Sequence, residues 1–247
     1  MRIISGMHRS GTSLVARLFH EADADMGDPA TFYGGDRWNP DGYFEQPQLH
    51  AINMPLIHGP FWKLAYLSLP SPRTIARRAR KMGDAIRRAS DEYAGRIVKE
   101  ARFCLTLDAW LAEGANVDRV AVVMREPGEV ARSLKRRNRI PMRLGYSLWL
   151  AHNERLLEAT RAHDIPLHCV RYGLLLEPDR RDSEISAAFA FMGLDVEPAE
   201  ARRLVARVAK QSKNKSRRQE AATDYPARVK RLWDELLQRH RQQGRQG

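Results

Sequence analysis

Short apolar runs alternate along the chain with longer stretches in which apolar residues return every three or four positions. Arg2-Ile3-Ile4 opens it and passes at once into Gly6-Met7-His8-Arg9-Ser10-Gly11-Thr12-Ser13, after which Leu14, Val15, Leu18 and Phe19 recur at helical spacing. That is strand, glycine loop, helix. Gly27 to Asn53 is rich in Gly, Pro, Asp and Asn with several aromatics and reads as a long ordered loop. Ile75, Ala79, Met82, Ile86, Ala89 and Tyr93 step by four and three, predicting one helix with a buried face. A short strand over Arg96–Lys99 and a helix over Phe103–Leu111 follow. Val120–Met124 is continuously apolar, as buried parallel strands are. Pro127 then stands where the helix Glu129–Arg137 would begin. A helix over 143–162, a strand over Leu167–Val170, helices at about 183–192 and 197–210, and an amphipathic segment over 226–241 complete the pattern.

Strands separated by helices imply βαβ units, hence a three-layer α/β domain with a central parallel sheet. The 247 residues suit one such domain, expected over 1–218, with a basic helical tail over 219–247. Hydrophobic residues make up 43% of the chain, enough for a full core. No run reaches the roughly 18 uncharged apolar residues of a membrane helix, and Met1–Gly6 does not read as a signal peptide. The two cysteines, Cys104 and Cys169, each lie in an apolar run without metal-ligand spacing. They read as buried free thiols of a reducing compartment, and the expected location is cytoplasmic.

Charge sharpens the picture. The net charge of +12 favours anionic partners, and Arg202 to Gly247 holds 14 Lys or Arg against 4 Asp or Glu. No nucleic-acid recognition motif accompanies it. The arginine-rich face of residues 73–88 reads either as solvated surface or as a grip for an acidic acceptor, a polysaccharide or lipid headgroup.

Gly6 to Ser13 has the glycine spacing of a Walker A loop with Thr12 where the lysine belongs. Its backbone N–H groups and the following helix N-terminus can still hold a phosphate. The cation has moved to Arg9, and Ser10, Thr12 and Ser13 add hydroxyl donors. A plain strand-to-helix turn is the unliganded alternative. An ATP-dependent kinase would want the lysine and a magnesium carboxylate; a sulfuryl donor, carrying less charge, could manage with a positioned cation and no metal.

Arg125-Glu126-Pro127 follows the strand ending at Met124, and Arg125 stands where α/β proteins place ligand groups. Ser133 lies two helical turns further on. At this point the chain resembles the P-loop sulfotransferases, most closely bacterial members with an HRSGTS loop. His8–Ser13 is similar to their 5′-phosphosulfate loop with Arg9 in place of Lys, and Arg125 with Ser133 is similar to their 3′-phosphate motif. Asn39–Glu45, Lys99–Arg102, Tyr172–Leu175 and the basic cluster Lys213–Arg218 resemble further family segments over residues 1 to about 218, though Lys99–Arg102 and Tyr172–Leu175 each depart at two positions.

The resemblance implies 3′-phosphoadenosine 5′-phosphosulfate as co-substrate, a hydroxyl acceptor on a glycan, lipid or small metabolite, and no metal. It further implies Arg9, Ser10, Gly11, Thr12, Ser13, Arg125, Ser133, Tyr172 (near the adenine) and Arg217 as donor-binding residues. Arg9 would stabilise the leaving phosphate, Glu45 is the candidate general base or else a helix N-terminal carboxylate, and His8 could orient or deprotonate the acceptor. Lys99 is either a proton donor or half of a structural ion pair. Trp38, Tyr43, Phe44, Phe61 and Trp62 could line the acceptor pocket. A kinase with a degenerate loop and a non-catalytic nucleotide- or polyanion-binding module remain as alternatives.

Overall fold

The computed structural model describes residues 1–37, 39, 42–58, 69–211 and 225–244. In chain order the elements are β1 (Arg2–Ser5), α1 (Thr12–Glu21), α2 (Pro47–His58), α3 (Pro72–Arg80), α4 (Gly83–Glu92), β2 (Ile97–Lys99), α5 (Phe103–Ala112), β3 (Arg119–Met124), α6 (Pro127–Asn138), α7 (Met142–Ala162), β4 (Leu167–Arg171), α8 (Tyr172–Leu175), α9 (Arg181–Phe191), α10 (Pro198–Gln211) and α11 (Ala227–Gln243). The four strands form one parallel sheet in the order β2-β1-β3-β4. Alternation along the strands splits the core in two. Ile3, Val98, Val120 and Val122 face the layer of α2, α3, α4, α5, α7 and α11, whereas Ile4, Ile97, Ala121 and Val123 face α1, α9 and α10. The expected three-layer α/β architecture is present.

From β1 the chain crosses to β2 on one side, then returns over β1 to β3 on the other. Neighbouring β1 and β3 therefore carry crossovers that diverge, and the crevice at their carboxyl ends is the ligand position of open α/β sheets. Gly6 makes that crevice tight: with a φ of +150°, a Cβ there would lie 2.5 Å from the Val123 carbonyl oxygen.

Three features differ from the sequence expectations. The predicted helix over 75–93 is two helices, broken at Lys81–Met82; Met82 leaves helical geometry at φ −118°, ψ 12° before α4 begins at Gly83. The apolar spacing ran through because the break preserves the phase of Ile75 and Ala79 with Ile86 and Ala89, all buried. The loop expected to Asn53 ends earlier, at α2, whose first residue Pro47 lacks only an N–H that would be unpaired there anyway. Pro55 and the buried Asn53 blurred its periodicity. Finally, α11 is seated on the domain. Val229, Leu232, Trp233 and Leu236 join the core, with the Trp233 ring edge-on to Trp149 at 6.1 Å.

Three side chains and one main-chain carbonyl satisfy the outer borders of the sheet. On β4 the Gln243 amide accepts from Cys169 N–H at 3.0 Å and donates to Leu167 O at 3.0 Å, while Glu184 accepts from Arg171 N–H at 2.5 Å. On β2, Asp25 O accepts from Ile97 N–H at 2.9 Å and the Gln46 amide oxygen from Lys99 N–H at 3.3 Å. Both cysteines are free, and burial pushes each thiol up to about 12. Among the described residues no helix is long and apolar enough to cross a membrane.

Candidate active site

The loop after β1 wraps the start of α1. Arg9 adopts φ +75°, and Gly11 at φ +96° forms the N-cap without a side-chain cap. The first turn of α1 contains no acidic residue, so its unpaired N–H groups and positive end face the crevice. The N-terminus of α6 is the opposite case: Glu126 caps it, accepting from Gly128 N–H at 3.1 Å and Glu129 N–H at 2.5 Å. Of the two helix starts at this switch point, only that of α1 is open to an anion.

The sequence-predicted donor residues converge there. Arg9 Nε donates to Ser133 Oγ at 3.0 Å, joining the loop to α6. Arg125 Nη1 donates to Arg9 O at 3.1 Å, and its Nε to Glu129 at 2.7 Å. The Arg125 guanidinium lies over the Tyr172 ring, 4.5 Å from its centre. Tyr172 in turn is packed on Gly11, where an added Cβ would fall 2.1 Å from the ring. Buried in the fold, Tyr172 forms a floor beneath Arg125. Ser10 and Thr12 are buried within the loop, and Ser13 is partly exposed. Burial, then the charges of Arg137 and Arg125, pull the Arg9 guanidinium below its ordinary value. Of these three guanidiniums, Arg125 is paired with Glu129 and Arg137 with Asp36, while Arg9 faces the open turn of α1. Arg217 lies outside the described residues.

A second cluster adjoins the first through His8. Lys99, at the end of β2 and 2% exposed, donates to Glu45 Oε1 at 2.5 Å. Arg102 Nη1 bridges Glu100 at 2.8 Å and Glu45 at 3.4 Å. Burial alone would raise the Glu45 carboxyl, yet Lys99, His50 and Arg102 hold it far below the usual carboxylate range. His8 goes the other way. Burial, reinforced by Arg102 and His152 against the opposing Glu45, holds its imidazole well below 6.5 and hence neutral near pH 7. His152 stands edge-on to it, ring centres 6.2 Å apart, its Nδ1 2.7 Å from Leu148 O.

Glu45, His50 and Glu100 offer ligand atoms within 4.8 Å of one another; among the described residues Glu100 Oε2 and His50 Nδ1 lack a hydrogen-bond partner, the latter lying 3.8 Å from Glu45. Lys99 and Arg102 already neutralise both carboxylates, so a divalent cation would meet two positive charges, that of Lys99 fully buried. The donor set fits an ion-pair network better than a metal centre.

Thus Arg9, Gly11, Arg125, Ser133 and Tyr172 meet in one cluster, and Glu45, Lys99 and His8 in its neighbour. Tyr43 lies beside the second, its ring 5.9 Å from Lys99 Nζ, and Phe44 packs on Phe32 and His20. Trp38, Phe61 and Trp62 lie outside the described residues. Arg102, His50 and His152 escaped the sequence reading. Arg102 carried one faint signal, its place in the segment after β2; the two histidines carried none.

No family model matches the chain, and no curated protein matches it. Two solved structures overlay loosely on the fold. A sulfotransferase domain from the curacin biosynthetic pathway is 15% identical, with a TM-score of 0.49 over 96% of this chain and 97% of that one. Sulfotransferase STF1 from Mycobacterium tuberculosis is also 15% identical, with a TM-score of 0.42 over 95% of this chain and 75% of that one.

Proposed function

We propose that this crevice transfers a sulfuryl group from 3′-phosphoadenosine 5′-phosphosulfate to a hydroxyl acceptor. One observation carries the reading: an uncapped helix N-terminus under a loop whose arginine is bonded to Ser133 and braced by Arg125. The open turn of α1 and Arg9 suit the 5′-phosphosulfate, and Arg125 with Ser133 suits the 3′-phosphate. The resemblance of the HRSGTS loop and the Arg-x-Pro segment supports the same assignment.

The acceptor oxygen attacks sulfur as the bond from sulfur to the bridging oxygen of the 5′-phosphate breaks. Arg9 and the α1 N–H groups stabilise the charge that develops on that phosphate. Arg9 keeps its proton, so its contribution is electrostatic. The acceptor proton passes to His8, which is partly exposed at the cleft beside the Glu45 carboxylate that offsets the charge it gains. Glu45, bonded to both Lys99 and Arg102, is committed to that ion-pair network and anchors Lys99 at the end of β2. An ATP-dependent kinase would want a carboxylate after β3 for magnesium. Glu126 is committed to the α6 N–H groups and Glu129 to Arg125.

Calorimetric titration with adenosine 3′,5′-bisphosphate, alongside Mg·ATP, tests the proposal. Micromolar binding of the bisphosphate that is lost in Arg125→Ala and weakened about tenfold in Ser133→Ala is the expected result. Binding of Mg·ATP with no response to the bisphosphate overturns it.

A further inference from the structure

The helices α3 and α4 present a face that the proposed transfer chemistry does not use. Residues 73–88 hold seven Lys or Arg against the single Asp84. Arg78 is spent on the fold, donating to Leu56 O at 2.8 Å and Ile57 O at 3.0 Å. Arg87 is paired with Asp84 at 2.6 Å and bonded to Glu113 O at 3.1 Å. Arg73, Arg77, Arg80, Lys81 and Arg88 are exposed and have no carboxylate partner among the described residues. Five cations without a carboxylate partner among the described residues repel each other on one short stretch.

Their arrangement is ordered. Arg73, Arg77 and Arg80 follow at intervals of four and three on α3, so a cation stands at each turn, about 5.4 Å apart along the axis. Beyond them the α3–α4 junction opens a concavity of about 460 Å³ lined by Arg80, Lys81, Arg87 and Arg88, with Asp84 and Glu113 beside Arg87. Asp91 and Glu92 lie at the far end of α4, roughly 10 Å along the axis. The buried faces of both helices hold the apolar residues Ile75, Ala79, Ile86 and Ala89. No large apolar side chain is left outward here, since Tyr33 is the one exposed large hydrophobic residue among those described.

We propose that this face docks a linear acidic polysaccharide. Charge complementarity calls for a polyanion, and cations at each helical turn suit a chain with regularly repeated carboxylates or sulfates. A bilayer surface would want apolar side chains to insert, and the apolar side of α3 is already in the core. Single-stranded nucleic acid would want aromatic platforms for its bases, and the face carries none. The docking surface goes beyond the transfer reaction and stands or falls separately from it.

The test is binding by the full chain of a polygalacturonate oligomer, measured calorimetrically at two salt concentrations. Vesicles of phosphatidylcholine with phosphatidylserine, and a single-stranded DNA, serve as comparators. We expect salt-sensitive binding of the polygalacturonate that weakens about tenfold in the triple variant Arg73→Gln, Arg77→Gln, Arg80→Gln, roughly a factor of two for each exposed charge contact. These side chains are exposed and unpaired, so the melting temperature should stay unchanged. A matched variant elsewhere, Arg136→Gln, Arg139→Gln, Arg143→Gln, should bind as the parent does. Unaltered binding in the first triple, or equal weakening in the second, overturns the proposal. Tighter binding of vesicles or DNA, lost in the first triple, overturns the assignment to a polysaccharide.

Discussion

Arg9 Nε donates to Ser133 Oγ across 3.0 Å, joining the loop after β1 to the helix after β3 by a single side-chain contact. Two segments 124 residues apart thereby share one anion pocket, and neither is complete without the other.

Ser133→Ala should weaken adenosine 3′,5′-bisphosphate binding about tenfold, the usual effect of losing one hydrogen bond to a charged group. Arg9→Ala should cost on the order of a hundredfold, and Arg9→Lys less, because a point charge replaces a fork of donors. Calorimetry on folded variants checks the order. Equal affinities in Ser133→Ala and the parent would remove Ser133 from the site.

Lys99→Met strands the Glu45 carboxylate with only Arg102 and a distant His50 for company. Breaking a buried ion pair from one side typically costs about 3–5 kcal/mol, and removing both charges costs much less. Urea unfolding should show a large loss in Lys99→Met and substantial recovery in Lys99→Met with Glu45→Leu. The double variant losing as much as the single would mean that the pair is not the unit of stability.

Acid should destabilise the fold through His152, whose imidazole burial holds down to about 4. Above the ordinary histidine value near 6.5 the ring is neutral in both states, and this group contributes its full stability. As pH falls below that value the unfolded chain takes up the proton and the folded chain does not, until about pH 4. Between those limits His152 alone should remove about 3 kcal/mol. Glu45, held low, acts in the same direction from about pH 4.5 downward. Unfolding free energy measured against pH should fall less steeply in His152→Gln between pH 6.5 and 4.

Gly11→Ala should damage folding and ligand binding together. Its Cβ would fall 2.1 Å from the Tyr172 ring, at a φ of +96° that L residues resist by about 1–3 kcal/mol. Adding Tyr172→Ala removes the collision but not the backbone strain, so only part of the lost stability should return. Thermal melting of the single and double variants separates the two contributions.

Much of the donor cluster was legible in the sequence because its residues are local to two strand-to-helix turns. Gly6, Gly11 and Pro127 punctuate those turns, and parallel strands bring β1 and β3 side by side. The second cluster was legible only as separate residues. Glu45 and Lys99 are 54 positions apart, and their pairing depends on how the segment before α2 returns to the end of β2, which no periodicity encodes. For the same reason His8 gave no sign of its neutrality: His152 and Arg102 reach it from α7 and from the segment after β2. The break between α3 and α4 was hidden by an apolar stripe that stays in phase across it.

Two glutamines stopper the sheet at its two rims, Gln243 along β4 and Gln46 along β2. A bare rim is a template on which another polypeptide can add itself, strand upon strand. At β4 the stopper rides on α11, so a chain lacking that helix would uncover a hydrophobic seat and leave Cys169 N–H and Leu167 O without their partner. Such a fragment should self-associate through this rim, against which α11 guards the sheet.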